Sequence, residues 1–150
     1  MKRDKLDDVF SKLIRERSDY NCEECGTNYR YRPQGLHCSH FWTRSNKSTR
    51  WHPENACAHC YGCHRKLSGS PVTFTDRIKQ FLGNRFDLVR RYTHAPVKFS
   101  KLEREDIYRF YKKELLRVQD LRASGVCGRI EFSTAPLIDL KLREIAAREL

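Results

Sequence analysis

The sequence predicts an α+β fold: a small hairpin-and-helix core stapled by four cysteines, a helix before it and a helical extension after it. Two observations carry this. Cys22/Cys25 and Cys60/Cys63 form two Cys-x-x-Cys pairs around a 34-residue gap rich in aromatic and turn-forming residues. Beyond Pro71 the apolar residues fall at helical spacing, with no period-2 stretch long enough for a second sheet.

Taken in order, Leu6, Val9, Phe10, Leu13 and Ile14 lie at i, i+3, i+4, i+7 and i+8, one face of an amphipathic helix over 4–17. Asp4, Asp7 and Asp8 suit its positive N-terminal end, and Arg15 and Arg17 its C-terminal end. Cys22-Glu-Glu-Cys25 then makes a tight turn released by Gly26, which tolerates a left-handed backbone. Residues 27–52 read as two short strands around a Ser-Asn-Lys-Ser turn. Pro53-Glu54-Asn55 leads into a short helix carrying Cys57, Cys60, Cys63 and His64, ended by Ser-Gly-Ser-Pro at 68–71.

In the extension, Thr75 caps a helix over 76–82, Gly83 interrupts, and 84–92 continues. Ser100 and Glu103 form a capping box that opens a long helix to about Ala123. Ile107, Phe110, Tyr111, Leu115, Val118 and Leu121 share one of its faces. A strand at 129–133 and a helix from 138 complete the chain. Residues 1–72 thus form the stapled core with its N-terminal helix, and 73–150 a helical extension, in one compact unit.

With 33% charged and 39% hydrophobic residues in 150, the core is modest and gains from a metal. No apolar run approaches the ~20 residues of a membrane helix. The N-terminus lacks the apolar segment of a secretory signal, so a cytoplasmic location is expected. Net charge is +11, and its placement matters more than its size. Residues 26–100 carry 13 Lys/Arg against 3 acids, so the excess surrounds the cysteine-rich core. A cationic field focused there implies a polyanion, with nucleic acid the first candidate.

Seven cysteines, an odd number, argue for metal ligation rather than a disulfide framework. Two Cys-x-x-Cys turns supply the four thiolates of a tetrahedral zinc site. Such a site has no open coordination position, so the zinc is structural. Cys38, Cys57 and Cys127 are left as small buried apolar residues, with Cys57 the spare candidate ligand.

His40, Asn55 and His64 supply what phosphodiester hydrolysis needs. A histidine titrates near working pH and can activate water, which assigns His40 as general base. His64 ligates a divalent ion, Mg2+ or Mn2+, that polarises the phosphate. Asn55 holds His40 by a hydrogen bond. The two imidazoles are expected face to face across a cleft one phosphate wide. Arg44, Lys47, Arg50, Arg65 and Lys66 are the expected phosphate contacts. His37 and His52 flank the hairpin as weaker candidates.

The spacing Asn55-x8-His64, with Cys60 and Cys63 at fixed offsets, resembles the HNH (ββα-metal) nucleases. The stretch HCSHFWTRSNKSTRWHPENACAHCYGCHRKLSGSPVTF, within a similarity over residues 20 to about 118, resembles the phage NinG/Rap recombination endonucleases. The arrangement is also similar to endonuclease VII-type junction resolvases. This resemblance implies a structure-selective DNA endonuclease acting on branched recombination intermediates such as Holliday junctions and D-loops. It implies Cys22, Cys25, Cys60 and Cys63 as zinc ligands, His40 as base and His64 as ligand of the catalytic ion. The departure is Ser39, where the resolvases place a metal-binding aspartate. A hydroxyl is a poor substitute for a carboxylate.

Two other readings stand beside this one: a non-catalytic zinc-dependent nucleic-acid-binding module, and a sequence-specific HNH nuclease of restriction or homing type. A homodimer through the long helix would suit symmetric cutting, although core packing explains its apolar face equally well.

Overall fold

Asp4 opens the first helix, α1 (Lys5–Arg17): its carboxylate accepts the amides of Leu6 and Asp7, and Asp7 returns its own to the Asp4 amide. The computed structural model describes residues 2–148. Leu6, Val9, Phe10, Leu13 and Ile14 are all buried, the stripe expected from their spacing. The helix ends on Arg17, which is 2% exposed and donates to the carbonyls of Pro53 (2.8 Å) and Ala56 (2.5 Å). A buried guanidinium needs such acceptors, and these two anchor α1 to the chain just ahead of the second strand.

The sheet has two antiparallel strands, β1 (Leu36–His40) and β2 (Ala56–Cys60), in register from Leu36↔Cys60 to His40↔Ala56. The second strand is therefore not in 27–52, before His52, but after a loop spanning 41–55. Cys57 and Cys60 lie on that strand, and the helix expected to carry them begins only at Tyr61. This helix, α2 (Tyr61–Ser68), carries Cys63 and His64. The physical reason is pairing. Ala-Cys-Ala-His-Cys is small enough to be buried along its whole length, and a buried backbone must bond to a neighbouring strand or to its own helix.

Side chains alternate along a strand. Leu36, Ala56, Ala58 and Cys60, with part of Cys38, join the core under α1. His37, Ser39, Cys57 and His59 point to the opposite face, where Ser39 meets α2.

The extension is helical, with shifted boundaries. α3 (Pro71–Leu82) starts at Pro71 rather than after Thr75, because Pro fits the first helical position; Thr75 sits inside, its hydroxyl on the Pro71 carbonyl. Gly83, at φ +54°, breaks the run before α4 (Phe86–His94). The Ser100–Glu103 capping box forms as expected and opens α5 (Lys101–Ala123), whose Ile107, Tyr111, Leu115 and Val118 are buried. α6 (Pro136–Arg148) begins two residues before the expected start.

No strand forms at 129–133. That segment runs along the end of α1, Ile130 bonding to the Arg17 carbonyl, with Ile130 and Phe132 buried. One core runs from Leu6 to Leu142 and joins α1, the hairpin, α5 and α6. A smaller cluster of Ile78, Leu82 and Val89 holds Phe41 and Trp42, the residues just after β1. Among the described residues no helix is long and apolar enough to cross a membrane.

Candidate metal centre and adjoining histidines

Two turns bring the four sulfurs together. Gly26, at φ +76°, lets the first knuckle fold back, with its amide on the Cys22 carbonyl at 2.8 Å and the Cys22 amide on Thr27 at 2.9 Å. Cys60 ends β2 and caps α2, its sulfur accepting the Cys63 amide. The β1–β2 register sets this second knuckle beside the first, and the Cys60 amide donates to Cys22 Sγ at 3.3 Å. All four Sγ atoms lie within 4.8 Å of one another, and those of Cys25 and Cys60 are 3.9 Å apart. Zn–S bonds of about 2.3 Å put tetrahedral sulfurs about 3.8 Å apart, so the cluster fits the ion.

The electrostatics agree. The Thr27 hydroxyl and amide draw the Cys25 thiol down to about 6. Burial opposes ionisation of Cys60, yet the Cys63 amide and its neighbours more than offset it, and its pKa is lowered. Burial pushes Cys22 and Cys63 up. Four sulfurs this close resist accumulating negative charge until a cation enters between them. These cysteines can hold a metal such as zinc; with four thiolates bound, zinc supplies structure rather than an open position for water.

The leftover cysteines are not alike. Cys57 is no spare ligand: it faces away from the cluster, buried against the His59 ring, with Sγ 3.1 Å from Nε2. Cys38 is only partly buried and Cys127 is exposed, so Cys127 is not the buried residue expected from sequence. It lies in the turn after α5, outside any packed face.

His40, the last residue of β1, sits on the α1 side. Its ring centroid is 5.9 Å from that of Phe10, and Nε2 is 2.8 Å from the Arg50 carbonyl. A carbonyl only accepts, so Nε2 carries the proton and Nδ1 keeps the lone pair. Burial lowers the His40 pKa to about 4, so the ring is neutral at pH 7. Asn55 does not touch it. Its side chain instead clasps the 41–55 loop, accepting from the Trp42 amide and donating to the carbonyls of Trp42 and Thr49. The loop thus held presents the Arg50 carbonyl to His40, an indirect form of the expected support.

His64, one turn into α2, is held from the other face of β1, with Nδ1 2.9 Å from Ser39 Oγ. Ser39 is fully buried. Burial, then the nearby His37, lowers the His64 pKa. Sequence reading missed two features here: Ser39 as the group that seats His64, and the His37 ring lying parallel to His64. Strand alternation alone would have put residues 37 and 39 together. The imidazoles of His40 and His64 have separate partners, the Arg50 carbonyl and Ser39 Oγ, and what ties them together is β1, which carries His40 next to Ser39.

Among the expected phosphate contacts, Lys47, Arg65 and Lys66 are exposed. Arg44 is partly exposed, with Nη1 3.9 Å from Asp7 Oδ2. Arg50 is not a surface contact: it is 6% exposed and bound to Asp7. Its partner, an acid in the first turn of α1, could not be read from local spacing.

The chain matches no family model, no curated protein and no solved structure. What its own geometry defines is a mixed α+β protein whose two-stranded sheet and following helix are joined by a four-cysteine cluster able to bind a metal such as zinc.

Proposed function

We propose that the chain is a metal-dependent DNA endonuclease of the HNH type, cleaving phosphodiester bonds in branched recombination intermediates. The observation that carries this reading is the state of His40. Its Nε2–H is committed to the Arg50 carbonyl in a clasped loop, and its neutral ring offers an Nδ1 lone pair. The lone pair is positioned and unprotonated, as a general base requires, while the pKa of about 4 lies below the working pH at which such a base is strongest. His64, seated by Ser39 on the helix after the hairpin, would hold the catalytic Mg2+ or Mn2+, which would offset charge on the phosphate. The zinc joins strand to helix and fixes their spacing. The basic stretch through Lys47, Arg65 and Lys66 holds the DNA backbone.

The test is cleavage of a synthetic four-way junction, against linear duplex, with Mg2+ or Mn2+. Nicking that disappears in His40→Ala supports the reading; full activity in that variant rejects the base assignment. Cleavage of linear duplex at defined sequences would favour an HNH enzyme of restriction or homing type. A second reading, a zinc-dependent nucleic-acid-binding module without catalysis, draws on the side-by-side packing of His40 and Phe10. It expects salt-sensitive DNA binding and no cleavage with any divalent ion.

A further inference from the structure

A single imidazole is a meagre ligand set for a working cation, and the strand supplies another. His37 lies two residues before Ser39, on the face of β1 that meets α2. Its ring is within 5° of parallel to that of His64, with centroids 6.3 Å apart. An imidazole nitrogen sits ~2.0–2.1 Å from its metal, so two rings sharing one ion have centroids on the order of 4.5–6.5 Å apart. The observed separation sits at the near-linear end of that range, about 1 Å beyond a tetrahedral pair. His37 is exposed, so its side chain can close the gap without disturbing the core.

His64 is already oriented for this. Its Nδ1 is engaged by Ser39 Oγ, which leaves Nε2 as the open nitrogen. An outer hydrogen bond of that kind fixes ring orientation in metal-binding histidines. Among the described residues the four cysteines are the one group of three or more His, Cys, Asp or Glu that converges on a common point. Among the described residues, then, no group of three or more that includes a carboxylate converges beside His64. Imidazole favours zinc, nickel and their neighbours, which makes Ni2+ a sharp probe of such a pair.

We infer that His37 and His64 bind one divalent transition-metal ion next to the four-cysteine centre, with Ser39 as the positioning residue for His64. This deepens the nuclease reading and rests on it only for what the ion does. Ser39 then has a physical sense: its hydroxyl seats His64 from the strand face that also carries His37.

The experiment is calorimetric titration of the zinc-loaded chain, with one zinc per molecule, by Ni2+. One further ion per chain is expected. His37→Ala and His64→Ala should each weaken it by at least the ~10-fold that loss of even an outer partner costs, and Ser39→Ala by ~10–100-fold. Each variant is judged folded by its retained zinc. A zinc-loaded chain that takes up no Ni2+, or a His37→Ala variant that binds it like the wild type, overturns the inference. The titration contains no DNA, so the two readings fail separately. Ni2+ bound with junctions left uncut sinks the nuclease and keeps the site; junctions cut by a chain that takes up no Ni2+ sink the site and keep the nuclease.

Discussion

Asp7 and Arg50 form a two-point ion pair inside the protein, with Arg50 Nε 2.9 Å from Oδ1 and Nη2 2.5 Å from Oδ2 of the carboxylate. The Trp51 indole adds a third donor at 3.0 Å. Burial works against this carboxylate, but Arg50 and the other donors more than compensate and hold its pKa below the usual range. The pair fastens the first turn of α1 to the loop whose Arg50 carbonyl receives the His40 proton.

Asp7→Ala leaves a guanidinium buried without its carboxylate. Removing one partner of a buried ion pair costs about 3–5 kcal/mol, so the urea midpoint should fall steeply. The His40 side-chain NMR signals should shift in the same variant, because the carbonyl that fixes them is on the loosened loop. A midpoint within experimental error of the wild type would show the pair to be dispensable.

The salt dependence of DNA binding separates surface cations from structural ones. Arg65→Ala with Lys66→Ala should flatten the plot of log affinity against log salt by about 0.9 for each duplex phosphate these side chains neutralise. Arg50→Ala should lower stability instead. An unchanged slope in the double variant would remove these residues from the interface.

Stripping the metal should unfold the core. Structural zinc contributes about 10–16 kcal/mol in small motifs at neutral pH, more than most domains hold in total. A strong chelator should abolish the near-ultraviolet circular dichroism, and Cys60→Ser should purify with little zinc by mass spectrometry. Native-like spectra in metal-free protein would contradict the role given to the cluster.

Acid should weaken the fold before the carboxylates titrate. His52 is 1% exposed, and its burial lowers its pKa to about 4, below the unfolded value of about 6.5. The unfolded state therefore binds the proton first. The stabilisation is complete above about pH 6.5 and is lost as pH falls toward 4. A shift of this size corresponds to roughly 3 kcal/mol. Chemical denaturation from pH 7.5 to 5 should show the decline, and His52→Asn, which keeps an acceptor for the Glu54 amide, should make it shallower, with His40, lowered alike by burial, supplying part of the rest.

Legibility followed the range of each interaction. Helices α1 and α5 were readable because their caps and stripes are local: Asp4 with Asp7, Ser100 with Glu103. The cysteine quartet was readable from two short motifs. The second strand was not. Ala56–Cys60 has no β-branched residue and no polar alternation, and only its pairing with Leu36–His40 makes it a strand. The same long-range event set the histidines, since it decided that Ser39 rather than His40 would meet α2. Arg50 was misplaced for a related reason: its acid lies 43 residues away.

The quartet of sulfurs also dictates an order of assembly. Cys22 and Cys25 leave the ribosome well before Cys60 and Cys63, and the Arg17 side chain waits equally long for the carbonyls of Pro53 and Ala56. At ~5–20 residues per second, the nascent N-terminal segment stays incomplete for seconds, its thiols open to oxidants. With zinc as the ion of the cluster, metal supply in that interval would set how many chains reach the native form.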